Sequence, residues 1–181
     1  MLKNPFDLAI YLLLLDHLKP RTIIEIGSAY GGSGRFFADQ TRIRDLDTMV
    51  YSFDINPVIN LEVDNLRFLK ADIHDLQASE LPRILATAPR PWLVVEDGPH
   101  TFEGSLAALH FFDEFLRPGD YIVVEDGNLL DLGHFELRNG PVRAVRKFLK
   151  GRGEDYVIDR ELCDLYGRNV TWNKDGFLKR V

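Results

Sequence analysis

The chain of 181 residues carries a single cysteine, Cys163, so no internal disulfide can form. A reducing, cytoplasmic setting is the expectation that follows. No block of five or more basic residues occurs, and the formal net charge is −6. Nucleic acid is therefore a poor partner, because neutralising phosphates needs a clustered basic face. The apolar run from Leu8 to Leu15 is too short to span a bilayer. It also lacks the basic lead-in and small-residue cleavage site of an export signal, so it reads as a buried helix and no membrane partner is expected. There is no internal repeat, no low-complexity stretch and no Ser/Gly linker. What is present is 45% apolar and 11% aromatic residues, enough for one globular domain over residues 1–181 with a real core.

Short β-branched runs alternate with segments of 3.6-residue period. A first helix is expected over Pro5 to Leu18, stopping before Pro20. Strands are expected at Thr22–Gly27, Met49–Asp54, Leu66–Asp72, Trp92–Asp97 and Tyr121–Asp126. Helices are expected near Gly32–Thr41, Ser79–Ala88, Thr101–Leu116 and Pro141–Leu149. The tail from Tyr156 to Val181 reads as a hairpin of two strands around a polar loop. The alternation implies an α/β, doubly wound, Rossmann-like fold: a mostly parallel seven-stranded sheet with a C-terminal antiparallel hairpin. In such sheets ligands bind outside the carboxyl ends of the strands. Each of the first five strands carries an acid at or near that end: Glu25, Asp54, Asp72, Glu96–Asp97 and Glu125–Asp126. One such acid could simply cap the next helix; two adjacent acidic pairs in the set argue for a site.

The first turn reads Glu25-Ile26-Gly27-Ser28-Ala29-Tyr30-Gly31-Gly32-Ser33. A dinucleotide fingerprint would place glycine at 29, where the backbone meets the pyrophosphate, and the alanine there disfavours a nicotinamide-dependent oxidoreductase. The lysine of a phosphate loop is missing as well, since Ser33 follows Gly32. An acid two residues before the first glycine suits a ligand carrying positive charge, such as S-adenosylmethionine, whose carboxylate can use the turn's amides. Gly27, Ser28, Gly31 and Ser33 are the turn's candidate contacts. Asp54 is spaced to accept from both ribose hydroxyls, and Asp72 or Ile73 to flank the adenine.

The segment E-I-G-S-x-x-G-G-S resembles the first motif of class I methyltransferases. Its form is similar to the cephalosporin hydroxylase and rhamnosyl O-methyltransferase family, and to metal-dependent sugar methyltransferases of macrolide biosynthesis. The resemblance extends through Asp97-Gly98-Pro99-His100, Val124-Glu125-Asp126, the Gly140-Pro141 helix start and Asp175-Gly176-Phe177-Leu178, from about Thr22 to the end. It implies a methyltransferase that moves the methyl group of S-adenosylmethionine to a hydroxyl oxygen of a small molecule.

Asp97, Glu125 and Asp126 end neighbouring strands about 5 Å apart, so their carboxylates can converge on one cation or else cap the following helices. The resemblance assigns them a metal. Oxygen-only ligation selects magnesium first, then manganese or calcium. Successive strand residues point to opposite faces, so Glu125 and Asp126 can share an ion only where the strand breaks, as Gly127 allows. His100, three residues after Asp97, either packs at a helix start or takes the acceptor's proton; imidazole titrates near neutral pH. In related sugar methyltransferases the matching histidine is the proposed base, and Asp97 and His100 are the catalytic candidates. Pro99 stands where the family usually has serine and stiffens this turn.

His74 and His134 lie in loops near the active edge, while His17 and His110 read as packing or surface residues. Family members often carry a longer N-terminal region that helps cover the acceptor. Here that cover is absent, supplied by another subunit of a homo-oligomer, or formed by Leu129 to Asn139. A non-catalytic cofactor-binding domain is the remaining alternative. Sugar hydroxyls and vicinal phenols both suit a bidentate metal, and the sequence does not choose between them.

Overall fold

The computed structural model describes residues 3–57, 62–168 and 170–181. Seven strands form one sheet in the order β3-β2-β1-β4-β5-β7-β6. They are β1 (Thr22–Ile26), β2 (Met49–Asp54), β3 (Leu66–Lys70), β4 (Trp92–Glu96), β5 (Tyr121–Val124), β6 (Tyr156–Ile158) and β7 (Phe177–Arg180). The first five pair in parallel, and β7 runs antiparallel between β5 and β6. Among the described residues six helices accompany them: α1 (Pro5–Leu18), α2 (Gly32–Ile43), α3 (Leu81–Leu85), α4 (Phe102–Asp113), α5 (Gly140–Arg152) and α6 (Arg160–Cys163). Among the described residues no helix is long and apolar enough to cross a membrane.

The central strands are buried on both faces, which is why they read as unbroken apolar runs. Along β4 and β5 the side chains alternate between two cores. Trp92, Val94, Ile122 and Val124 join Phe112 of α4 and Phe148 of α5 on one face. Leu93, Val95, Tyr121 and Val123 join Tyr11 of α1 and Phe37 of α2 on the other. Helix ends are set locally: Asn4 caps α1 by accepting from the Phe6 amide at 3.0 Å, with Pro5 in the first turn. Thr101 caps α4 by accepting from the Gly104 amide at 3.1 Å.

Besides small shifts at element ends, such as β3 stopping at Lys70 where Asp72 was expected, three differences bear on the frame of the site. The helix anticipated over Ser79–Ala88 is a 3-10 turn, Leu76–Ala78, followed by the short α3. Ser79 is extended, and its hydroxyl takes the Leu81 amide at 3.1 Å, which separates the two turns. β5 stops at Val124, because Asp126 turns into the left-handed region at φ 56° and the acidic pair leaves the ladder. The tail hairpin is present, with α6 inserted between its strands.

The loop after α6 is folded back onto α1. Asp7 accepts from the Thr171 hydroxyl at 2.5 Å and from the Trp172 amide at 3.1 Å. Asn173 Oδ1 accepts from the Asp126 amide at 3.3 Å. These bonds carry Trp172 to the carboxyl edge of the sheet. Burial pushes the Asp7 carboxyl up to about 6 from 3.8, and that of the fully buried Glu96 up to about 7 from 4.5. Between those limits the folded chain holds protons the unfolded chain has released, so stability falls as pH rises through the window and levels above it. Urea titrations between pH 4 and 8 check this: Asp7→Asn with Glu96→Gln should flatten the slope, and an unchanged slope would refute the assignment.

Candidate functional site

The strand ends open into a cleft of about 1100 Å³. One half is built on the turn after β1. Gly27 sits at φ 102°, and its amide and that of Ser28 donate to the Phe53 carbonyl at 2.7 and 3.1 Å. A side chain at Gly27 would strike the Asp97 carbonyl, so glycine lets the turn lie against the end of β4. Ala29 occupies a left-handed conformation at φ 42°, and its amide donates to Asp54 Oδ2 at 2.8 Å. Asp54 Oδ1 accepts from the Asn56 amide at 2.9 Å. Each carboxylate oxygen keeps acceptor capacity toward the cleft.

Gly31 caps α2 in the left-handed region without a side-chain bond, leaving the positive helix end turned to the turn. Beneath it Glu25 is fully buried, its Oε2 accepting from the Ser52 hydroxyl. Burial raises its pKa, opposed by the Lys3 charge and the Ser33 and Ser52 hydroxyls. Among the described residues Glu25 Oε1 and the buried Ser28 hydroxyl have no hydrogen-bond partner. Such orphaned polar atoms are what a polar ligand or its waters would satisfy. Gly27, Ser28, Ser33, Asp54, Asp72 and Ile73 line the cleft, whereas Glu25 and Gly31 stand just behind its wall. Asp72 turns back to accept from the His74 amide at 2.9 Å, and Ile73 lies over Gly98.

The other half holds the acids of β4 and β5. Asp97, His100 and Asp126 each present a ligand atom within 4.8 Å of the others. His100 Nε2 lies 3.3 Å from Asp126 Oδ2. Both residues have positive φ, at 56° each, conformations held by their surroundings rather than by preference. Gly140 contributes to that: its Cα side packs on the His100 carbonyl so closely that a Cβ would come within 2.5 Å. The Asp97 carboxyl is pushed up by burial and by the Glu125 charge, and Asp126 is pushed up by burial.

Glu125 is drawn elsewhere. It accepts from the Tyr11 hydroxyl at 2.6 Å and from Lys3 Nζ at 2.7 and 2.6 Å. Lys3 Nζ also reaches Asp97 Oδ2 at 2.8 Å, and its side chain is 2% exposed. The structure thus brings Asp97 and Asp126 together with His100, and sets Glu125 one layer deeper behind an ammonium. Sequence reasoning missed Lys3 and Trp172. Lys3 lies 94 residues from Asp97 along the chain, and no local pattern marks either residue. Leu129, Leu132 and Leu137, from the segment expected as cover, form the apolar wall with Trp172; His74 and His134 also line the cleft.

The chain matches rhamnosyl O-methyltransferase of Mycobacterium bovis at 29% identity, over 98% of this chain and 74% of that one. The Mycobacterium leprae enzyme of the same name matches at 29%, over 99% of this chain and 80% of its relative. Among solved structures, CmcI with Mg and SAM superposes with a TM-score of 0.78 at 25% identity, covering all of this chain and 73% of CmcI. A caffeoyl-CoA O-methyltransferase-like protein from Staphylococcus aureus shares the fold, with a TM-score of 0.63 at 12% identity over all of this chain and 86% of its own. The model of the rhamnosyl O-methyltransferase/CmcI family matches residues 1–181, and the chain belongs to that family.

Proposed function

We propose that the protein is an S-adenosylmethionine-dependent, divalent-metal-assisted O-methyltransferase acting on a hydroxyl of a sugar, glycoside or other small secondary metabolite. The observation that carries this reading is a single cleft with the glycine turn and Asp54 at one end and Asp97, His100 and Asp126 at the other. The S-adenosylmethionine-binding unit would be the whole of residues 1–181, working in the cytoplasm without nucleic acid or membrane. In a homo-oligomer a second copy would add to the cover that the leucine wall and Trp172 provide.

The residues fit both groups. Ser28, the uncapped start of α2 and the orphaned oxygen of Glu25 suit the charged amino-acid end of the cofactor, with Asp54 on the ribose. Asp97 and Asp126 offer the hard oxygens that magnesium or manganese takes, with Glu125 behind them as the third carboxylate. When bound, the cofactor supplies an electrophilic methyl group and the cation lowers the pKa of the acceptor hydroxyl. His100 then takes the hydroxyl proton on its imidazole, and the nearby Asp126 carboxylate stabilises the cation so formed. The leucine wall and Trp172 exclude water and hold the acceptor oxygen toward the methyl; such positioning supplies much of the acceleration.

Equilibrium dialysis should find S-adenosylhomocysteine bound and NAD unbound; the reverse would end the methyltransferase reading. Asp54→Ala removes the acceptor for the Ala29 amide as well as the ribose contact, and should weaken the cofactor by about 1–3 kcal/mol. Once an acceptor is found, His100→Ala should lower turnover by roughly 10²–10⁴-fold with cofactor affinity nearly unchanged. That loss should shrink at high pH, where hydroxide deprotonates the acceptor unaided. Full turnover in the variant would leave His100 as a helix-start residue only.

A further inference from the structure

Lys3 borders the cleft, and the proposed chemistry has no use for it. Its ammonium can only donate, and its contacts are with carboxylate oxygens of the acidic group: Asp97 Oδ2 at 2.8 Å and Glu125 Oε1 and Oε2 at 2.7 and 2.6 Å. The side chain is nearly sealed from solvent. The Tyr11 hydroxyl also donates to Glu125 Oε1, at 2.6 Å, which helps to fix that carboxylate.

From this arrangement we infer that Lys3 is a tethered cation that occupies the carboxylates of the metal site and must leave when a divalent ion binds. The inference rests on the metal reading above. Asp97, Glu125 and Asp126 bring three negative charges to neighbouring strand ends, and burying them without a counter-charge is costly. In the metal-free protein Lys3 supplies that charge. A divalent ion held by Asp97 and Asp126 would lie beside the Nζ that already bonds Asp97 Oδ2, so the two cations compete for that carboxylate and repel each other. Departure is a side-chain movement. Asn4, the next residue, is anchored by its bond to the Val170 carbonyl at 2.9 Å and by capping α1, so Lys3 can swing out on four flexible methylenes while the helix stays in place. The site is thereby kept neutralised at low metal and opens only when metal is plentiful, which lowers the apparent metal affinity by the strength of the internal pair.

Two measurements on the intact chain test this without any acceptor. Manganese binding is titrated by calorimetry in the wild type, Lys3→Met and Lys3→Gln, with circular dichroism to check the fold. Both variants should bind manganese about tenfold or more tightly than the wild type, because a unit positive charge has left the site. In parallel, the wild-type protein is treated with an amine-acylating reagent and Lys3 modification is followed by mass spectrometry. Lys3 should be protected without metal and become reactive at saturating manganese. Manganese affinity equal in all three proteins, with Lys3 equally protected throughout, would overturn the competition while leaving the metal site standing. No manganese binding in any of them would overturn the metal reading and the competition together.

Discussion

Like charge crowded onto one edge of a parallel sheet is the constraint around which this molecule is arranged. Parallel strands send all their carboxyl ends the same way, so Asp97 after β4 and Glu125 and Asp126 after β5 are neighbours by topology. Burial and mutual repulsion make their charged forms expensive. Lys3, the Tyr11 hydroxyl, the His100 imidazole and the Asn173 side chain all converge there from distant parts of the chain. α1 is locked across the sheet, and the tail loop folded back, at least in part to serve that cluster.

The same edge divides the labour of the site. Between β1 and β2 the backbone does the work: left-handed residues, an uncapped helix start and the Asp54 carboxylate shape a concave seat for a polar ligand. Between β4 and β5 the side chains supply ionisable groups at contact distance. Gly27 joins the halves, since its bare Cα lets the turn after β1 rest on the Asp97 backbone. A shift in either turn would therefore change the distance between the two halves of the cleft.

Much of the fold was legible in the sequence, since β-branched runs buried on both faces have few alternatives. The ranges of α1 and β2 agree residue for residue with expectation, and the acid at each strand end lies at the sheet edge. The helix start at Pro5, and that near Thr101 to within one residue, were readable as well, whereas their caps emerged with the structure. What could not be read depends on long-range pairing. Nothing near Lys3 announces a partner 122 residues away, and Trp172 reaches the cleft through the bonds of its loop to Asp7 and Asp126. Glu25 was expected beside the ligand, and its burial under the turn follows from Ser52 and Ser33 offering hydroxyls on that side. The divergence of Glu125 from Asp126 has the same origin: one acid found Tyr11 and Lys3, the other His100.

The central proposal is that one cleft holds a methyl donor and a hard cation side by side. The most direct test is a crystal structure of the protein grown with S-adenosylhomocysteine and manganese, with anomalous data collected at the manganese edge. S-adenosylhomocysteine is expected on the Gly27–Ser33 turn with its ribose on Asp54, and an anomalous peak bonded to oxygens of Asp97 and Asp126. An empty turn, or a manganese peak away from those carboxylates, would contradict that arrangement.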